Sequence, residues 1–126
     1  MRAAWGKGTS LLDFRVDVAR SNGCAVITVA GELDLATAPQ LLEAIEEVGS
    51  SAPPRVVVNL LATSFIDSTG LTTLLRAHKR FESDNRSFAL ICGPENIEVL
   101  RVMDLMGFDE VFTVHPSLAA AGCDDV

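Results

Sequence analysis

Acidic and hydroxyl side chains recur in three short segments of the 126-residue sequence, each of which follows a predicted strand. The segments are 31–36, 62–70 and 92–95, and none of them contains a lysine or an arginine. Together they contribute Glu32, Asp34, Asp67, Ser68, Thr69, Gly70 and Glu95. A serine at a strand-to-helix turn is the position that a catalytic nucleophile occupies in a nucleophile elbow, so the chemistry to consider first is nucleophilic attack.

Nucleophilic catalysis is poorly supported because the surroundings of Ser68 complete only half of a nucleophile elbow. That motif needs Gly-x-Ser-x-Gly and a later histidine within reach, whereas Ile66 stands at the first glycine position and Gly70 at the second. The later histidines are His78, on the same predicted helix, and His115, on a peripheral element. An oxyanion at this edge would also lack side-chain cations. We therefore expect no enzyme activity; the alternative, a hydrolase, would lose its turnover in Ser68→Ala.

Hydrophobic periodicity predicts the first elements that hold these segments. Alternating apolar residues over 12–18 and 25–30 predict two strands, which the Ser-Asn-Gly sequence at 21–23 joins as a hairpin. Gly31 is predicted to break the second strand. Thr37 and Gln40 then match a capping box for a helix that ends within 50–54.

The second half of the sequence alternates strands with helices. The β-branched run at 55–61 predicts a buried parallel strand, followed by a loop at 62–67 and a helix from Ser68. The next strand is predicted at 88–92, and a third helix begins within 93–95 and ends at Gly107. A last strand is predicted at 111–114 and a final helical turn at 116–121. The order ββαβαβαβ predicts an α/β domain with a mixed sheet, a hairpin followed by right-handed crossovers and packed helices. Because loops after parallel strands share one edge, the three acidic segments are expected to converge.

Composition restricts the class of partner. The chain has 10 Lys and Arg against 17 Asp and Glu, a net charge of −7, and a mean hydropathy of +0.31. One domain of this size holds a single core, and its acidity argues against direct binding to nucleic acid or to an anionic membrane. No apolar run approaches the ~20 residues of a spanning helix, and no signal peptide is visible, so a cytoplasmic location is predicted.

The cysteines predict neither a disulfide nor a metal site. Cys24, Cys92 and Cys123 are odd in number and widely spaced, without a CxxC motif or clustered histidines. Cys92 is expected to be a buried apolar residue and Cys123 a tail residue. No cofactor is predicted.

Three motifs resemble the STAS domain of bacterial anti-sigma factor antagonists. Residues 64–71, Ser-Phe-Ile-Asp-Ser-Thr-Gly-Leu, are similar to the family signature in which an apolar strand and short loop lead into a helix. Residues 31–34 match its Gly-Glu-Leu-Asp turn, and 106–112 its C-terminal segment. The resemblance spans roughly 14–116. It implies a STAS domain at 11–122. Residues 1–10, which have two glycines and little periodicity, are expected to form a flexible tail, and 123–126 a C-terminal tail.

The resemblance also implies a function. An unphosphorylated antagonist would bind an anti-sigma factor that is a serine kinase and so free the sigma factor. Phosphorylation of Ser68 by that kinase would inactivate it, and a phosphoserine phosphatase would reverse the change. The implied partner-binding residues are Glu32, Asp34, Asp67, Ser68, Thr69 and Gly70. A second interpretation is a STAS scaffold or accessory subunit of a stressosome-like or lipid-transport complex.

Several of these residues also have plain structural alternatives. Ser68 is suited to be the N-cap of its helix, with or without a regulatory role. Thr69 fits a first-turn residue better than a second phosphorylation site, and Asp34 suits either closure of the turn after Gly31 or partner docking. His78 is expected to be a partly buried structural histidine.

Overall fold

Six strands and four helices form the part of the chain that the computed structural model describes, namely residues 13–21, 23–51 and 53–123. The strands are β1 (Arg15–Ser21), β2 (Cys24–Leu33), β3 (Arg55–Asn59), β4 (Thr63–Ile66), β5 (Ser87–Ile91) and β6 (Thr113–His115). The helices are α1 (Ala38–Ser51), α2 (Ser68–Ser83), α3 (Ile97–Leu105) and α4 (Leu118–Ala121). The predicted tail at 1–10, Asn22 of the predicted turn and residues 124–126 lie outside the described residues.

The strands form one mixed sheet in the order β1-β2-β3-β5-β6. The β1–β2 hairpin is antiparallel, whereas the β2–β3, β3–β5 and β5–β6 pairs are parallel. Strand β4 leaves this path and pairs in parallel with the end of β2. The predicted α/β domain with a mixed sheet is confirmed.

Two predictions about β2 and its neighbour are wrong. The predicted loop at 62–67 contains β4, and β2 continues through Gly31 to Leu33. Gly31 has a φ of +107° and donates its N–H to the Ala62 carbonyl at 3.0 Å, beside a register shift in the β2–β4 pairing. A glycine at positive φ bends the strand without ending it. The first half of β2 therefore pairs with β3 and the last residues pair with β4.

The start of α1 differs from the predicted capping box. The hydroxyl of Thr37 is buried and points back into the preceding turn, where it donates to the Glu32 carbonyl at 2.7 Å and accepts from the Asp34 N–H at 2.9 Å. Two other boundaries differ from the prediction by two residues. Strand β3 ends at Asn59 where the sequence predicted 61, and β6 begins at Thr113 where the sequence predicted 111. Gly107 ends α3 with a φ of +77°, as predicted.

The sheet buries a hydrophobic cluster on each face. The larger cluster lies between the sheet and helices α1, α2 and α3. His78 belongs to this side, with its ring centroid 5.9 Å from that of Phe88 and 5.7 Å from that of Phe112, which confirms a structural histidine. The second, smaller cluster lies under α4 and comprises Cys24, Val26, Val57, Ile91 and Cys123.

The prediction that the cysteines form no disulfide is also wrong. Cys24 and Cys123 are bonded, with their Cα atoms 6.0 Å apart across 99 residues of sequence. Cys123 is fully buried, so the folded unit extends through residue 123, which the sequence placed in the C-terminal tail. Spacing could not show this pair, because only the sheet order brings the start of β2 under α4. Cys92 is free and buried, as expected.

Candidate functional site

The pairing of β2 with β4 brings the first two acidic segments together. Glu32 is opposite Phe65 and Leu33 is opposite Ile66 in the parallel register. The Asp67 N–H then donates to the Leu33 carbonyl at 3.2 Å, which extends the contact one residue beyond β4. The two turns after β2 and β4 are thereby adjacent.

Asp34 closes the turn that follows β2. Its Oδ1 accepts from the N–H groups of Ala36 and Thr37 at 3.0 and 3.1 Å. Aspartate side chains commonly stabilise turns in this way. Of the two roles considered for Asp34, closure of the turn is thus observed directly.

Asp67, not Ser68, caps helix α2. The Asp67 backbone is extended, and its Oδ1 accepts from the Gly70 N–H at 2.9 Å, while its Oδ2 accepts from the Leu35 N–H at 3.3 Å. Ser68 is therefore the first helical residue, and its side chain is exposed. Within the described chain the Ser68 hydroxyl makes no hydrogen bond, whereas its carbonyl accepts from the Thr72 hydroxyl at 2.8 Å.

Gly70 lets α2 approach the strands closely. A Cβ at this position would lie 2.8 Å from both the carbonyl oxygen and the Cγ of Leu33, and 2.9 Å from Cγ1 of Ile66. Those contacts are shorter than a real Cβ tolerates. The glycine of the motif at 64–71 therefore determines the distance between the first turn of α2, which contains Ser68, and strand β2.

A shallow groove of about 220 Å³ runs along the first turns of α2 beside Ser68. It is lined by Ser68, Thr69, Thr72, Thr73 and Arg76. The expectation that this edge lacks a cation is wrong, because a long side chain on a helix points back toward the N-terminus and covers the preceding turn. Arg76, which lies outside all three acidic segments, reaches the groove in this way.

Asn96 connects the loops after β3 and β5, a role that the sequence analysis missed. Its side-chain N–H₂ group donates to the carbonyls of Leu60, Leu61 and Thr63 at 2.9, 3.3 and 3.3 Å, and its Oδ1 accepts from the Gly93 N–H at 2.7 Å. Asparagine before a helix ordinarily signals a cap. Here the side chain is buried and makes no cap bond, so local sequence could not have revealed its contacts.

The other two carboxylates have different environments. Glu32 is exposed next to Phe65, at the same edge as Ser68. Glu95 lies against its own loop, with Oε1 2.6 Å from the place that a Cβ on Gly93 would occupy. The convergence predicted for four carboxylates is thus supported for Asp34, Asp67 and Glu32, while the contacts of Glu95 are with the loop after β5.

No histidine is placed to activate Ser68. His78 follows ten residues later in α2, which corresponds to about 15 Å along the helix axis, and its Nε2 lies 3.5 Å from Glu82 Oε1. His115 is on β6, at the far edge of the sheet. These are the two histidines of the sequence, so a serine–histidine pair is not assembled at this site.

Residues 15–121 match the family model of the STAS domain. The chain belongs to the STAS domain family. It is 35% identical over 103 residues to the anti-sigma-F factor antagonist RsfB of Mycobacterium tuberculosis, covering 82% of each chain. It is 29% identical over 89 residues to an anti-sigma-B factor antagonist of Staphylococcus epidermidis, covering 71% of this chain and 81% of that protein.

A solved structure supports the same family. The crystal structure of an anti-sigma factor antagonist from Mycobacterium paratuberculosis superposes with a TM-score of 0.79 at 30% sequence identity, covering 88% of this STAS domain and 92% of that chain. The resemblance drawn from the three motifs is confirmed. Among the described residues of this STAS domain, no helix has the length and apolar character needed to cross a membrane.

Proposed function

We propose that this STAS domain is an anti-sigma factor antagonist. In its unphosphorylated form it binds an anti-sigma factor that is a serine kinase and so frees the sigma factor; phosphorylation of Ser68 by that kinase switches it off. The names of the curated relatives support the antagonist role. The observation that carries the regulatory part is that Asp67 caps α2, which leaves the adjacent Ser68 hydroxyl exposed and uncommitted.

The position of Ser68 suits a phosphate. The first turn of a helix presents unpaired N–H groups and the positive end of the helix dipole, which favour an anion by about 0.3 to 1 kcal/mol. Arg76 adds a cation along the same groove. The isolated domain therefore tolerates a phosphate at Ser68, and we expect its fold to be unchanged by phosphorylation.

Exposed apolar side chains beside Ser68 support a protein partner. Leu35 is 73% exposed, Phe65 39% and Ile97 67%. Leu35 and Phe65 belong to the turn and strand that hold Asp67, and Ile97 opens α3, which packs on β4. We call the surface of Glu32, Leu35, Phe65, Asp67 and Ser68 the docking edge. It fits a partner surface with an apolar centre and basic residues around it.

A phosphate at the docking edge opposes binding by charge and by desolvation. It adds about 1.5 to 2 negative charges beside the carboxylates of Asp34 and Asp67. At ~6 Å and a dielectric of 20 to 80, each pair of unit charges repels by roughly 0.7 to 3 kcal/mol. A total loss of about 3 to 4 kcal/mol at the interface already lowers affinity a hundredfold or more.

The decisive experiment combines site mapping with matched substitutions. The purified chain is incubated with ATP and the anti-sigma factor kinase of its own organism, and the modified residue is mapped by mass spectrometry. We expect phosphate on Ser68, none in Ser68→Ala, and normal modification in Thr69→Val. A phosphoserine phosphatase should then remove the phosphate and restore binding.

Binding of the same anti-sigma factor is measured with two variants of equal size. Ser68→Asp adds a negative charge and should weaken binding at least tenfold. Ser68→Asn introduces a side chain of the same shape as aspartate but without the charge, and it should bind like wild type. Phosphate on another residue, or equal affinity of both variants, would overturn the proposal.

A further inference from the structure

The bonded cysteines lie on the face of the sheet opposite α1, α2 and α3 and have no part in the proposed antagonism. We propose that Cys24 and Cys123 are a reversible redox site. In the disulfide form they hold α4 against the second face of the sheet, and as two thiols they release it.

Little else attaches α4 to the sheet. The helix has four residues, none of them fully buried, and among the described residues only its Leu118 and Ala121 pack in part against the smaller hydrophobic cluster. Within the same part of the chain, one side-chain hydrogen bond links this segment to the sheet, in which Arg55 Nη1 donates to the Gly122 carbonyl at 3.2 Å. Because these contacts are few, the covalent bond from Cys123 to β2 is the strongest link between this helix and the sheet.

The surroundings of the bond favour exchange at Cys24. Arg55 Nη1 is 4.0 Å from the Cys24 sulfur, and a neighbouring cation favours the thiolate, which is the reactive form. Both sulfurs belong to buried residues, so a reagent reaches them when α4 lifts. Cys92 does not compete, because it is buried in the other cluster and burial raises the pKa of its thiol to about 11.

The oxidation balances with a small-molecule disulfide such as oxidised glutathione. The Cys24 thiolate attacks one glutathione sulfur, which breaks the glutathione disulfide and releases one glutathione thiolate. Cys123, after losing its proton, attacks the Cys24 sulfur of the mixed disulfide and releases the second glutathione. The two protein thiols lose two electrons and two protons, and the small-molecule disulfide is reduced to two thiols.

The site is remote from the docking edge. Cys24 is the first residue of β2, whereas the turn beside Ser68 follows its last residue, Leu33. Nine residues of strand correspond to about 30 Å. Opening the bond should therefore expose Val26, Val57 and Ile91 on the second face and leave the docking edge intact. A redox change at Cys24 and Cys123 is therefore separate from phosphorylation at the docking edge.

Hydrogen exchange of the full chain in two redox states tests the proposal without any substitution. Treatment with excess dithiothreitol should speed exchange of the amides in 118–123 at least tenfold relative to the oxidised protein, while 63–72 stay unchanged. Cys24→Ser and Cys123→Ser should each reproduce the reduced wild type. Cys92→Ala, which keeps the bonded pair, should still respond to dithiothreitol.

A titration with glutathione redox buffers supplies the second measurement. After quenching, alkylation in urea and intact mass should show three thiols under reducing conditions and one, Cys92, under oxidising conditions, with full return on reduction. Three thiols across the whole range, or equal exchange of 118–123 in both redox states, would refute the redox site.

Discussion

Asp67 joins two turns through the two oxygens of one carboxylate. Oδ1 satisfies the Gly70 N–H at the start of α2, and Oδ2 satisfies the Leu35 N–H after β2. The residue therefore fixes both the start of the helix and the neighbouring turn. The Ser68 hydroxyl is free because Asp67 caps the helix. If the serine were the cap, its side-chain oxygen would accept a hydrogen bond from a backbone N–H.

Loss of the Asp67 carboxylate should destabilise the domain measurably. We expect Asp67→Ala to lower the free energy of unfolding by about 1 to 2 kcal/mol, since it removes a helix cap and leaves the Leu35 N–H without its partner. Urea denaturation followed by circular dichroism measures this change. Asp67→Asn is the comparison, because its one amide oxygen can still cap α2 but cannot also accept from the Leu35 N–H, so we expect a smaller loss than in Asp67→Ala. Equal losses in both variants would contradict the assignment of the cap.

Cys92 should be inert in the folded protein. Burial raises the pKa of its thiol from 9.0 to about 11, so the folded state favours the neutral thiol. Iodoacetamide at pH 8 should modify Cys92 at least a hundredfold more slowly in the native protein than in urea, because the thiolate is the nucleophile. Similar rates in both conditions would show that the thiol is accessible.

The same shift predicts a dependence of stability on pH. A thiol whose pKa is higher in the folded state contributes stability that is fully present below about pH 9 and is lost as the pH rises toward 11. The free energy of unfolding should therefore fall over this range, and Cys92→Ala should reduce the slope. An identical slope in wild type and variant would count against burial of the thiol.

Strand β4 is the element that assembles the site. It is four residues long, and it pairs with the part of β2 beyond the bend at Gly31, where β3 no longer does. The buried Thr63 hydroxyl donates to the Val29 carbonyl at 2.8 Å, at the point where β3 and β4 diverge from β2. The position of the docking edge thus depends on how the ends of β4 are held.

Asn96 holds the start of β4, and its replacement should be costly. Asn96→Asp removes the donors for the carbonyls of Leu60, Leu61 and Thr63 and places a negative charge among them. We expect a loss of about 3 kcal/mol or more in the free energy of unfolding, with faster hydrogen exchange in 60–66. The exposed neighbour provides the control, and Glu95→Gln should stay within about 0.5 kcal/mol of wild type. Matching stabilities of the two variants would argue against this role of Asn96.

Charge acts at the scale of the whole molecule. With a net charge of −7, the domain would attract the basic partner proposed above over distances that salt limits to about a Debye length. Apolar contacts at the docking edge are much less sensitive to salt. Salt should therefore affect the rate of association with the anti-sigma factor more than the rate of dissociation.

Stopped-flow association measurements at two salt concentrations test this. Between about 50 and 500 mM NaCl we expect the association rate constant to fall roughly tenfold. Glu32→Gln at the docking edge should slow association at low salt about twofold. Glu110→Gln carries the same charge change beyond the opposite end of α3 and should have a smaller effect. A larger effect of Glu110→Gln would place the docking surface elsewhere.

Local sequence determined much of the fold. Periodicity and turn chemistry, which act over a few residues, predicted the hairpin, three of the four strands that follow it, the three long helices and the left-handed Gly107. The motif at 64–71 likewise indicated the family, which the match over 15–121 confirms, and the proposal for Ser68 comes from that family resemblance.

Contacts between distant residues were decided only by the tertiary structure. The fourth parallel strand, β4, is short and exposes half of its residues, so it carries no clear periodicity until β2 bends at Gly31 to receive it. The bond between Cys24 and Cys123, the hydrogen bonds of Asn96 and the reach of Arg76 into the groove likewise depend on sheet order and helix packing. The sequence by itself determined the family and most of the helices and strands, because motifs, propensity and turn chemistry act over a few residues. Only the folded chain decided what surrounds it, because those neighbours are set by long-range packing.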